Sequence, residues 1–201
     1  MARKKPCQPS QHTIKSPTFR YCCGVEWVEL GQQTSMAYSI TALNAMDQTA
    51  FVDAVGFVFE ETPAIAAHTY QQRPFCDRSD LHQKMVARVE AMPQAKQLAL
   101  ICAHPDLGSK AKMADASVKE QARAGLDQLT SAEYEQFQSL NQAYKDKFNF
   151  PFIIAVKDHT KTTILAAFQQ RLQHDRDAEI NQALAQICRI AWFRLADCVQ
   201  P

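Results

Sequence analysis

Glycine is scarce, with 5 among 201 residues, and its scarcity excludes several chemistries at once. Neither a Gly-x-Gly-x-x-Gly turn nor a Walker-type loop is present, so the usual phosphate cradles for nucleotide cofactors are missing. The Gly-x-Ser-x-Gly elbow of many serine hydrolases is absent too. The seven cysteines (7, 22, 23, 76, 102, 188 and 198) contain no Cys-x-x-Cys pair. The six histidines (12, 68, 82, 104, 159 and 174) contain no i, i+4 pair, so the sequence offers no zinc site and no metal is expected. An odd cysteine count, with Cys102 and Cys188 inside apolar patterns, predicts reduced thiols acting as small hydrophobes in a cytoplasmic protein. No apolar run approaches the ~18–20 residues of a membrane helix, and no membrane role is expected. Net charge is only +1, which gives no reason to expect nucleic acid as the main partner.

The chain that remains has 46% hydrophobic and 21% charged residues, ordinary values for a globular domain. Its charge is uneven. Residues 1–35 hold five basic side chains against Glu26 and Glu29, and residues 36–201 hold 17 basic against 19 acidic. Pro6, Pro9 and Pro17, with no sustained period, make residues 1–35 read as a basic, poorly ordered extension, or as sequence upstream of a start at Met36.

Residues 36–201 are rich in Ala, Leu, Gln and Lys, good helix formers. Asp47 is placed to cap a helix carrying Phe51, Val55, Phe57, Val58 and Phe59, and residues 65–70 read as a second, short helix. Ser79 is placed to cap a helix with Leu81, Met85 and Val89 at i, i+4 and i+8. Pro93 separates it from the next helix, which runs toward His104-Pro105. Ser117-x-x-Glu120 and Thr130-x-x-Glu133 both fit capping boxes. Residues 148–156 form an apolar, β-branched run interrupted by Pro151, which predicts an extended strip, and two more helices cover 161–173 and 176–198. The expected fold is all-α: one compact helical domain of about eight helices with a short extended strip.

Three features could carry chemistry, and each has a plainer reading. His104 follows an apolar helix and precedes a proline, which suits an acid/base residue held on a rigid edge, or a satisfied structural histidine. Ser117, Glu120 and Gln121 mark a helix start, able to cap itself or to cradle an anion. Arg194 falls at about −20° on the apolar stripe of the last helix, taking Ile187 as zero and 100° per residue. A guanidinium there must meet a protein carboxylate or an anionic ligand. Arg171 and Arg189 lie off their stripes and read as solvated or rim charges.

Several stretches taken in order resemble one family. Phe51 to Glu60 (FVDAVGFVFE), Arg73-Pro74-Phe75, His104-Pro105-Asp106-Leu107 and Ser117-x-x-Glu120-Gln121 come first. Leu140-Asn141-x-x-Tyr144, Phe150-Pro151-Phe152-Ile153-Ile154, Arg171-Leu172 and Ile190-Ala191-x-x-Arg194-Leu195 follow. Together, from about Ser39 to Val199, they resemble the OHCU decarboxylases, which act on 2-oxo-4-hydroxy-4-carboxy-5-ureidoimidazoline in urate breakdown. The resemblance implies an all-helical homodimer that works without metal or organic cofactor. It implies His104 as the catalytic acid/base, with Glu120 and Arg194 completing the catalytic set and Arg194 binding the substrate anion. Pro105, Ser117, Val118, Lys119, Glu120 and Gln121 would contact substrate, with backbone groups of Phe152, Ile153, Ile154, Ala155 and Val156. The loop after Leu107 departs from the pattern, reading Gly108-Ser109 and running short before Ser117. The C-terminal Cys198-Val199-Gln200-Pro201 is not a peroxisomal tripeptide, consistent with a cytoplasmic enzyme. Competing expectations are a non-enzymatic helical binding or scaffold module, and a lyase for another small carboxylated heterocycle.

Overall fold

The computed structural model describes residues 25–30, 33–108 and 115–201. Nine α-helices are found among them, one more than expected. They are α1 (Ile40–Ala45), α2 (Gln48–Val55), α3 (Ala64–Thr69), α4 (Arg78–Glu90), α5 (Gln94–Cys102), α6 (Asp115–Arg123), α7 (Ser131–Phe148), α8 (Lys161–Arg171) and α9 (Arg176–Cys198). Single 3-10 turns stand at Gly56–Val58, Tyr70–Gln72 and Val156–Asp158.

Ahead of the helices, β1 (Val25–Leu30) pairs antiparallel with β2 (Gln33–Tyr38), from Val25 opposite Tyr38 to Leu30 opposite Gln33. No hairpin was expected in the N-terminal extension, whose residues 1–24, 31 and 32 lie outside the described residues. The missed pattern is local: a Val- and Trp-bearing run, a Gly-x pair at 31–32, and a second run. The end of the hairpin is tied to the far end of the chain. Tyr38 bridges Val199, and the Gln200 N–H donates to the Tyr38 carbonyl at 2.9 Å.

Most helix starts follow the sequence. Asp47 accepts from the Ala50 N–H, and Thr130 and Glu133 form a full capping box. Two starts differ. Asp77, not Ser79, caps α4, because its carboxylate reaches the Asp80 N–H. The helix begun at Asp47 stops at Val55 and tightens into a 3-10 turn, which leaves Phe57 half-exposed at 48%.

α9 runs through the core. Ile180, Ala183, Ile187, Ala191 and Leu195 are buried on it, and the helix packs against α4, α5 and β2. α7 ends at Asn149, in the left-handed region at φ 62°, and the chain then runs non-helically and fully buried through residues 150–155. Phe150 and Phe152 settle among Tyr144, Phe148 and Phe168, with Phe152 stacked on Phe168 at 3.7 Å between ring centres. Aromatic burial of this kind anchors a segment that has no hydrogen-bonded ladder of its own.

Arg171 corrects the sequence reading. It is buried, not solvated, and forms a bidentate pair through Nε and Nη2 with the fully buried Glu179. The Tyr144 hydroxyl and His174 close over the same carboxylate. A helical wheel drawn on α8 alone could not see this partner, which comes from the first turn of α9. Arg189 does sit at the surface, paired with Asp158. Cys102 is exposed, contrary to its apolar pattern, and Cys188 is partly buried; all four described cysteines are free. Burial pushes the thiols of Cys188 and Cys198 up to about 11 and about 12, so neither is a ready nucleophile.

Candidate active site

His104 stands two residues past α5, after the cap residue Ala103, with its side chain almost wholly enclosed. Its Nδ1 donates to the Leu100 carbonyl at 3.0 Å, which leaves Nε2 as the basic nitrogen of the ring. Burial pushes its pKa down to about 4. The Leu100 carbonyl and the Glu60 charge oppose that shift, and the Arg194 charge adds to it. The ring is therefore neutral at pH 7.

The segment after His104 is pinned at consecutive residues. Lys145 reaches Asp106 at 2.6 Å, Asn141 Nδ2 donates to the Leu107 carbonyl at 2.8 Å, and the Gly108 N–H donates to Gln121 Oε1 at 2.9 Å. Gly108 has φ +65°, and a Cβ there would lie 3.0 Å from Leu129 Cδ1, so glycine suits both the turn and the space. Residues 109–114, which include the rest of the departing loop, lie outside the described residues.

α6 supplies the facing wall. Ser117 is not the cap that its spacing suggested, because the described helix already begins at Asp115. Its hydroxyl instead donates to Glu60 Oε2 at 2.9 Å and accepts from Arg194 Nη2 at 3.0 Å. Glu120, expected to close that capping box, accepts from Arg194 Nε and Nη2 at 2.9 and 3.0 Å. Arg194 Nη1 donates to Glu60 Oε2 at 2.9 Å and, more weakly, to the carbonyls of Phe57 and Val58 at 3.4 Å. A guanidinium has five N–H donors, and these acceptors account for all of them. Of the two partners the sequence left open for Arg194, the protein carboxylate is in place. Direct capture of a substrate anion would require a donor already committed to Glu60, Ser117 or Glu120.

Between these walls lies a cleft with about 490 Å³ of empty space, counted to its open mouth. His104, Pro105, Ser117, Glu120, Gln121, residues 152–156 and Arg194 all line it. Val118 and Lys119 do not: both are exposed, and Lys119 faces a separate groove beside Glu61 and Arg123. The helix explains the split, since 118 and 119 are rotated from Ser117 by about 100° and 200° while 120 and 121 come back to its side. Leu107, Lys157, Ile190 and Phe193 join the lining unannounced by the sequence. Glu60 is only the last residue of the family-like stretch Phe51 to Glu60, with no role expected of it from sequence; an acid directly after Phe57-Val58-Phe59 is its one local signal. Among the described residues, no three His, Cys, Asp or Glu side chains gather as a metal would need.

The strip presents its backbone selectively. The Ile153 carbonyl accepts from Arg171 Nη1 at 2.6 Å, and the Ala155 N–H donates to Gln186 Oε1 at 2.9 Å. In extended chain, alternate residues direct their N–H and C=O groups to opposite edges. The protein therefore holds the edge at 153 and 155, and Ile154 directs its amide groups the other way.

Comparison with known proteins places these features in a family context. The OHCU decarboxylase family matches residues 44–196. A 2-oxo-4-hydroxy-4-carboxy-5-ureidoimidazoline decarboxylase of Halalkalicoccus jeotgali is 47% identical over 163 residues, 81% of this chain and 93% of that one. The uric acid degradation bifunctional protein PucL of Bacillus subtilis is 47% identical over 162 residues, and the match spans 33% of its length. The crystal structure of an (S)-allantoin synthase superposes with a TM-score of 0.63 at 32% identity, covering 80% of this chain and 54% of that one. An OHCU decarboxylase crystallised with (S)-allantoin shares the fold, at a TM-score of 0.58 and 18% identity.

Proposed function

Because the chain belongs to the OHCU decarboxylase family, we propose that it converts 2-oxo-4-hydroxy-4-carboxy-5-ureidoimidazoline (OHCU) to (S)-allantoin and carbon dioxide in urate degradation. The observation that carries this reading is a neutral, buried His104 with one nitrogen tethered, lining the same cleft as Glu120.

The substrate has a carboxylate and a hydroxyl on one ring carbon, beside an imine carbon that bears the ureido group. When the C–C bond to the carboxylate breaks, its electron pair forms a double bond between those two ring carbons. The imine pair moves to nitrogen, which takes up a proton. The C=N bond is itself the electron sink, so the reaction needs no organic cofactor. The enol then becomes a carbonyl: its hydroxyl loses a proton, and the carbon bearing the ureido group gains one. Neutral His104 serves as the base for the hydroxyl proton and as the acid that returns it. A depressed pKa makes the intermediate imidazolium a ready donor. Return from one side gives a single enantiomer.

Glu120 keeps lone pairs free of Arg194 on each oxygen and accepts from a ring or ureido N–H. Ile154, with its N–H and C=O on one edge, fits the donor–acceptor pair of a cyclic amide. Pro105 and Phe152 close the ring's flanks, and Ser117 and Gln121 hold the wall and the turn rather than the substrate. Family membership extends the proposal to a homodimer acting in the cytoplasm; no described helix is long and apolar enough to cross a membrane.

OHCU decays on its own to racemic allantoin, so the test is optical activity and not mere product. Freshly generated OHCU with the wild-type protein is expected to give a circular-dichroism signal of (S)-allantoin. His104→Ala is expected to lose the ~10²–10⁴-fold contribution of positioned proton transfer while keeping its helical spectrum. Racemic product with wild type, or unchanged turnover in the variant, would overturn the reading.

A further inference from the structure

Glu60 belongs to no stretch of the chain that touches the cleft, yet it is 3% exposed and carries two of the bonds behind it. One oxygen of this carboxylate accepts from both the Ser117 hydroxyl and Arg194 Nη1, each at 2.9 Å. Glu120 occupies the other edge of the same guanidinium. Two carboxylates thus share one cation, and the buried group they form has a net charge of −1 when both are ionised. Lys157, the other cation lining the cleft, is bound to Asp197 at 2.7 Å.

This arrangement is the reverse of what binding an anion would call for. A substrate carboxylate entering the cleft finds a guanidinium whose donors are all committed, beside the apolar side chains of Leu107, Phe152, Ile190 and Phe193. For a decarboxylation that is favourable. The carboxylate is charged in the ground state and leaves as neutral carbon dioxide, so a cation paired with it would stabilise the starting state more than the transition state. A negative group behind the wall does the opposite, and its repulsion is relieved as the charge moves into the ring.

We propose that Glu60 is a positioning residue for the reaction: it holds Arg194 against Glu120 and Ser117 and so denies the departing carboxylate a counter-ion. Arg194 then acts through Glu120 rather than on the substrate. The inference rests on the decarboxylase reading above and deepens it.

The test compares kcat and KM for fresh OHCU in wild type, Glu60→Gln and Glu60→Asp. Removing the charge with Gln is expected to lower kcat about tenfold while KM stays level or falls, the signature of lost ground-state destabilisation. Asp, which restores the charge, is expected to recover most of kcat. An unchanged kcat in Glu60→Gln, or a KM that rises as kcat falls, would overturn the proposal, as a merely structural contact predicts the latter. A measurement on the wild type keeps the question decidable if the Gln variant does not fold. Calorimetric binding of hydantoin and of hydantoin-5-acetate should give equal or weaker affinity for the carboxylate. Tighter binding of the carboxylate by about tenfold would mean that a cation is available and would overturn the proposal. Wild-type protein that yields no excess of (S)-allantoin defeats the decarboxylase reading first, before any variant is compared, and the inference falls with it.

Discussion

Lowering the pH should separate the neutral-histidine mechanism from one that needs a charged ring. Burial places the His104 pKa at about 4, against 6.5 for a free imidazole. With a pKa of about 4, roughly 90% of the protein is in the neutral form at pH 5, and about half at pH 4. An unshifted histidine would be only about 3% neutral at pH 5. The rate of (S)-allantoin formation, followed by circular dichroism and corrected for spontaneous decay, should give a kcat/KM nearly flat from pH 8 to pH 5. It should halve near pH 4, since kcat/KM reports the free enzyme. A midpoint near 6.5, or a rate that rises as the ring becomes protonated, would refute the assigned role. Stability carries the same signature with a definite sign. The folded pKa lies below the unfolded one, so the unfolded chain binds the proton more readily. Stability from this group is therefore intact above pH 6.5, declines as pH falls toward 4, and declines no further below it. At pH 5 the loss is about 2 kcal/mol, and His104→Gln should abolish that part of the pH dependence of Tm.

Two further substitutions probe the supports. Arg194→Lys should reduce kcat/KM by about 10²-fold or more, because a point charge cannot bridge Glu60, Ser117 and both oxygens of Glu120; steady-state kinetics near wild type would mean that the fork is dispensable. Gly108→Ala should cost about 1–2 kcal/mol and lower Tm by ~2–8 °C, from the left-handed backbone and the contact with Leu129. Calorimetry showing an unchanged Tm would mean that the turn relaxes freely.

What could be read from the sequence was what one helix decides by itself. Arg194 showed its position because residues 180–198 carry a single apolar stripe and a cation on it has to be paired. The caps Asp47 and Thr130 and the two last helices were legible for the same reason. What escaped was whatever needed a second element. Glu60 precedes its guanidinium partner by 134 residues. Arg171 seemed solvated because its carboxylate lies on the next helix. Ser117-x-x-Glu120 has the spacing of a capping box, yet both side chains turn to an arginine from α9, where a buried charge outweighs a local cap. The hairpin carries no helical period; its signal is two short runs on either side of Gly31-Gln32, and it shows only on a period of two.

These long-range contacts have one origin. Glu179, Gln186 and Arg194 lie on α9 at intervals of seven and eight residues, which keeps all three within about 80° of one another around the helix. Glu179 holds Arg171, which grips the Ile153 carbonyl; Gln186 takes the Ala155 N–H; Arg194 fixes Glu120 and Ser117. The strip and α6, the two walls that would position a ring from opposite sides, are thus referred to the same face of a single helix, over about 22 Å of its length. Buried ion pairs are weak as stabilisers, because desolvation offsets most of their attraction. Their value here is geometric: a rigid helix turns three polar side chains into fixed distances between two walls of one cleft. A cleft that must deliver a proton to one side of a flat ring depends on that spacing more than on any single contact within it.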